Sequence, residues 1–166
     1  MISRPGGGGA AQVDYHNNPE ASKKKTEGGW LRTGDMVHRD ADGWLFFDFR
    51  KGGGLRHNGD FVHPDFVERA IAEHPQVSEV FVYGVEAASG APGERDVVAA
   101  VVAFPGVKLD VTSIFAKCRR DLEPNFVPSY IQVVDEIPKT ISEKPQERFL
   151  AAAFTRTASN VYSDPG

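Results

Sequence analysis

Three charged side chains and one turn stand where they could do chemistry. In the stretch PKTISEKPQER at 138–148, Lys144 lies between Glu143 and Pro145. An ammonium there either solvates a surface or is set against anions. Asp35 ends the TGD turn at 33–35. Its carboxylate can hydrogen-bond the local backbone, as turn aspartates commonly do, or accept from both hydroxyls of a ribose in a bidentate contact. Arg50 ends the run GWLFFDFR and offers either a surface ion pair or a planar donor fork. The HNG triplet at 57–59 is a turn whose Gly59 also permits close approach of another group to the backbone.

The elements that must position these groups are read from pattern. The 166 residues, 40% hydrophobic and 25% charged, suit one domain, or one domain plus part of another, with a core that needs no disulfide or metal staple. A net charge of −4 argues against a nucleic-acid surface. The basic run at 23–25 is read as a solvated loop. Cys118 is the single cysteine, so no internal disulfide forms; it falls on an apolar helical stripe, which implies a buried and inert thiol. No Cys/His spacing suggests a metal site. The longest apolar run, VVAAVVAF at 97–104, is too short for a bilayer, and no signal peptide opens the sequence, so a soluble cytoplasmic protein is expected.

Residues 1–29 show no period and read as loop, with one short strand near Gln12–Tyr15. A β-hairpin is predicted to follow, turning at Asp42-Gly43, with Leu45, Phe47 and Phe49 on a buried face. Core is also the expected place of Trp30, Trp44 and Phe46. KGGG at 51–54 suits a joint, because three glycines are poor in any regular element. A second small hairpin turns at Asn58-Gly59. A helix opens at Pro64, with Phe66, Val67, Ala70 and Ile71 on one face, and stops at His74-Pro75. Strands are expected at 77–85, 96–104 and 130–134. Asp110 caps a helix with an Ile114, Phe115, Cys118, Leu122 stripe. A last helix is predicted from Pro145 to Phe154, with Lys144 at its N-cap, and a frayed tail after residue 155.

Taken in order, GWLRTGD, DADGWLFF, Arg50, the glycine joint, HNG and PKTISEK resemble the carboxyl end of the adenylate-forming acyl-CoA synthetase superfamily. The wording of FRKGGGLRHNGDFV, VYGV and PSYIQVVDEIPKT leans toward the crotonobetaine/carnitine-CoA and medium-chain ligase branch. The resemblance implies an α+β fold. Residues 1–50 would be the β-rich end of a large AMP-binding domain and 51–54 a hinge. Residues 55–154 would be a mobile lid with a mixed three-stranded sheet, flanking helices and a hairpin, and 155–166 a tail. It implies that Asp35 and Arg50 hold the nucleotide of ATP or AMP, and that Lys51, Gly52, Gly53 and Gly54 form the hinge. Arg56, His57, Asn58 and Gly59 would meet CoA in thioester formation, and Lys144 would serve adenylation of a small carboxylic acid. Two departures stand out: Glu143 occupies the usual glycine of the terminal lysine motif, and Gly53 the usual Asp or Lys pivot. A glycine-rich phosphate loop, the acid pocket and the Mg2+ site would belong to the large domain, outside this sequence, leaving the chain inert alone. Loading of a carrier protein, or a non-catalytic interaction role of the same fold, are the alternatives.

Overall fold

A computed structural model describes residues 2–3, 9–50 and 53–164, with side chains from 9–47 and 53–164. The chain divides into two units, Met1–Gly53 and Gly54–Gly166.

In the first unit, β1 (Ile2–Ser3) pairs antiparallel with β2 (Leu31–Arg32), and β3 (Asp35–Arg39) with β4 (Leu45–Arg50). Helix α1 (Pro19–Lys25) stands where loop was predicted, and no strand forms at Gln12–Tyr15. Its start is chemically ordinary. Asn18 accepts from the Ala21 N–H, Pro19 presets φ, and Glu20 sits in the first turn. The basic run therefore lies on a helix, and the Lys25 ammonium donates to the Thr33 carbonyl at 3.0 Å. The expected aromatic core is also corrected: Trp44, Leu45, Phe46 and Phe47 are exposed, by 72%, 59%, 47% and 57%, and Trp30 by 39%. A two-stranded ribbon has no second layer of its own to bury either face. The Phe49 side chain lies outside the described residues.

The second unit begins with the predicted small hairpin, β5 (Leu55–His57) and β6 (Asp60–Val62). Asn58 at φ 50° and Gly59 at φ 86° give the two left-handed residues that such a two-residue turn requires. Helix α2 (Pro64–Ala72) buries Val67, Ala70 and Ile71, while Phe66 at its start remains partly exposed, contrary to expectation. Strands β7 (Val77–Glu86) and β8 (Arg95–Ala103) are antiparallel, and β9 (Tyr130–Val133) runs parallel to β8. That parallel step needs a crossover, supplied by α3 (Val111–Asp121), whose cap Asp110 accepts from the Ser113 N–H. Helix α4 (Glu147–Ala153) follows.

The sheet has four strands rather than three, in the order β10-β9-β8-β7, because β10 (Val161–Ser163) adds antiparallel to β9. The predicted frayed tail is thus an edge strand. Strand β8 is covered on both faces, which explains its unbroken apolar run. Val97, Ala99 and Val101 join Val67, Ile71, Ile114, Phe115 and Cys118 in one core. Val98 and Ala100 join Tyr83, Ile137 and Leu150 in another. No helix among the described residues is long and apolar enough to cross a membrane.

Candidate functional site

In the first unit, Gly34 takes φ 88°, and the Asp35 N–H donates to Thr33 Oγ1 at 3.1 Å. This turn delivers Asp35 half-buried at the start of β3, where its register partner on β4 is Arg50. The two predicted nucleotide residues are therefore opposite one another at one end of a ribbon. The Arg50 side chain lies outside the described residues, as do Lys51 and Gly52 of the predicted hinge. Gly53 ends the first unit and Gly54 begins the second.

In the second unit, the 57–59 turn is held more tightly than its composition suggests. His57 is buried, and its Nδ1 lies 2.6 Å from the Arg95 carbonyl oxygen. A carbonyl only accepts, so Nδ1 carries the proton in the neutral ring, and Nε2 accepts from Asn58 Nδ2 at 3.1 Å. Arg56 Nε donates to Glu94 Oε1 at 2.8 Å, and the Gly59 N–H to Glu94 Oε2 at 3.4 Å. The hairpin also sits against the sheet at Gly84, where a Cβ would stand 2.7 Å from Leu55 Cδ2. Of the four residues predicted to meet CoA, Arg56, Asn58 and Gly59 are exposed and His57 is not.

Lys144 lies on a narrow loop, not at a helix cap. Lys139 and Pro145 form an antiparallel bridge. Above it, the Thr140 N–H donates to the Lys144 carbonyl at 2.9 Å and the Lys144 N–H to Thr140 Oγ1 at 3.2 Å. Helix α4 begins only at Glu147, after Gln146 as cap, with the Gln146 N–H turned back to the Pro138 carbonyl at 2.7 Å. The bridge explains the shift, since Pro145 and Gln146 are held back against 138–139 and the helix starts only where that pairing ends. Lys144 is therefore not the N-cap predicted for it. Glu143, standing where the resembling motif has glycine, adopts φ 61°. Lys144 is exposed, and its ammonium enters no ion pair among the described residues.

Sequence reading missed the residues that secure these loops. Lys139 Nζ lies 2.7 Å from Glu79 Oε2 and 3.9 Å from Glu143 Oε2, and the Glu79 hydrogen bond raises its pKa. Glu68 on α2 accepts from the Val82 N–H at 2.8 Å, capping the open edge of β7, and burial raises its pKa. These partners lie far along the chain and carry no motif. Among the described residues, no group of three His, Cys, Asp or Glu is placed to hold a metal ion.

The four-stranded sheet with helices on both faces, a leading hairpin and a terminal lysine loop matches the α+β C-terminal domain of adenylate-forming enzymes. Residues 67–144 match the AMP-binding enzyme C-terminal domain family. The chain is 34% identical over 143 residues to an oxalate–CoA ligase of Arabidopsis thaliana, covering 84% of this chain and 27% of that protein. It is 30% identical over 132 residues to a crotonobetaine/carnitine–CoA ligase of Escherichia coli, covering 79% of this chain and 25% of the relative. Among solved structures, an anthranilate CoA ligase in complex with anthranoyl-AMP superposes with a TM-score of 0.71 at 30% identity, over 85% of this chain and 27% of the other. The chain thus spans about a quarter of the length of these relatives. The oxalate and crotonobetaine/carnitine ligases match it at similar identity, so the leaning toward the crotonobetaine/carnitine branch finds only loose support.

Proposed function

We propose that this chain is the carboxyl end of a cytoplasmic ATP-dependent acyl-CoA synthetase. The complete enzyme joins a small carboxylic acid to ATP, releasing pyrophosphate, and passes the acyl group from AMP to CoA. Asp35 and Arg50 hold the nucleotide, and residues 51–54 are the hinge between a large AMP-binding domain and the lid at 55–154. The turn at Arg56–Gly59 meets CoA. The large domain supplies the phosphate loop, the acid pocket and Mg2+, so the chain alone forms no adenylate.

The observation that carries this reading is Lys144, an exposed ammonium that enters no ion pair among the described residues and is held on a bridged loop within PKTISEK. A carboxylate attacking the α-phosphate of ATP brings two anions together. A fixed cation between them stabilises the charge developing in transfer. The test is Lys144→Ala in the complete enzyme, with the two half-reactions assayed apart. Adenylate formation should fall by about 10² or more, the loss typical of one preorganised contact, while thioester formation from preformed acyl-adenylate survives. Wild-type rates in both would leave Lys144 a surface lysine.

A second acceptor, the thiol of a carrier protein, is favoured by one feature. Phe61 is 65% exposed, and Phe66 packs edge-on against Phe126, with ring centres 6.4 Å apart. Carrier docking calls for exposed apolar side chains, as Phe61 and Phe66 are. Supplying the acyl-adenylate with CoA or with a phosphopantetheinylated carrier separates the two.

A further inference from the structure

We propose that Glu94 is a positioning residue for thioester formation, orienting Arg56 and the Asn58-Gly59 turn toward the anionic part of CoA. This rests on the proposed role of that turn. Glu94 lies just before β8, outside the lysine loop and outside every motif singled out in the sequence.

Its carboxylate spans two elements with one oxygen each. Oε1 takes the Arg56 Nε hydrogen at 2.8 Å and Oε2 accepts from the Gly59 N–H at 3.4 Å. The Glu94 side chain is only 16% exposed, whereas that of Arg56 is 55% exposed. The acid is therefore the fixed member of the pair and the guanidinium the presented one. Glu94 engages Nε, and among the described residues no hydrogen bond engages either Nη group of Arg56, the part of the fork that a phosphate engages. The neighbouring Arg95 carbonyl holds His57, and His57 in turn holds Asn58. Residues 94–95 thus grip the hairpin at its first strand and at its turn. The turn and Glu94 border a cavity of about 320 Å3 lined by His57, Asn58, Gly59, Glu94 and Asp96 among others. Asp96 is already engaged by Arg156 at 3.0 Å.

A free carboxylate beside an incoming phosphate would repel it. A carboxylate paired with Arg56 repels it less, and by restricting the cation it lowers the entropy lost on binding.

The test uses the complete enzyme with Glu94→Ala and Glu94→Gln. In thioester formation from preformed acyl-adenylate, Glu94→Ala should raise the KM for CoA about tenfold, the loss expected of one charge-assisted hydrogen bond, with kcat nearly unchanged. Glu94→Gln keeps one accepting oxygen for Arg56 Nε and should recover part of the loss. Adenylate formation should be unaffected by either. A KM for CoA that stays within twofold in Glu94→Ala overturns the proposal. So does a parallel fall of both half-reactions, which would mark a purely structural role. The wild-type control separates this from the underlying reading: an enzyme that makes adenylate but never consumes CoA refutes the CoA role of the turn, and the role of Glu94 with it.

Discussion

The Lys139 ammonium lies 2.7 Å from the Glu79 carboxylate and so ties the base of the Lys144 loop to the edge strand of the sheet. Both side chains are partly exposed, and exposed pairs contribute little to global stability. Their importance is local, because a loop held by one bridge gains rigidity from each further tether. Glu79→Gln in the complete enzyme should slow adenylate formation about two- to fivefold, in line with an exposed pair, well short of the effect of Lys144→Ala. The pair raises the Lys139 pKa above its ordinary value. Its contribution is therefore complete below the unfolded pKa and is lost only as pH climbs through the raised folded value. The Glu79→Gln effect should accordingly be flat through neutral pH and shrink at high salt, which stopped-flow assays over pH and salt would check.

Cys118 packs against Ile114 and Phe115 in the larger core, and burial pushes its thiol up to about 12. Asp121 and Asp164 push the same way, while Lys117 and Arg119 oppose. The thiolate is the reactive form, so the native protein should resist alkylation at mildly alkaline pH and react promptly once denatured. Labelling with and without denaturant measures this. Keeping the thiol neutral favours the folded state fully below the unfolded thiol pKa, and this advantage is lost as pH rises toward about 12. Fast labelling of the native chain would contradict the burial.

The tail shows where sequence reading ended and why. The run Val97–Phe104 was legible because a strand covered on both faces is apolar throughout. The capped helix at 111–121 was legible because Asp110 and an apolar stripe agree. Val161–Ser163 offers three residues, too few for a period, and forms a strand only because β9 presents an open edge. Helix α1 buries none of its residues, so it had no stripe to detect, although Asn18-Pro19 marked its start. In the site, the Asn58-Gly59 turn was readable from residue type, but Glu94 stands 38 positions from Arg56 and only the fold joins them. Deleting residues after Phe154 should lower stability by about 2 kcal/mol, from the buried Val161 side chain and the lost ladder. Denaturant unfolding of the full and shortened chains tests this, and equal midpoints would show that β10 contributes nothing.

Glu143 offers the sharpest test of the lysine loop's backbone. Its φ of 61° lies in the left-handed region, and its N–H closes the turn onto the Thr140 carbonyl at 3.0 Å. Any residue with a Cβ carries strain there of about 1 kcal/mol, whereas glycine does not. Glu143 also sits 3.9 Å from Lys139, so replacing it changes charge as well as strain. Comparing Glu143→Gly with Glu143→Ala cancels the charge, because both variants lose the same carboxylate. The glycine variant should be the more stable of the two, by up to about 1 kcal/mol once the greater freedom of glycine in the unfolded chain is set against the strain. In the complete enzyme it should form adenylate at least as fast as wild type, since the loop that carries Lys144 keeps its shape without strain. If alanine proves equal or better in thermal unfolding, the left-handed turn at 143 is not the conformation that the loop adopts in solution.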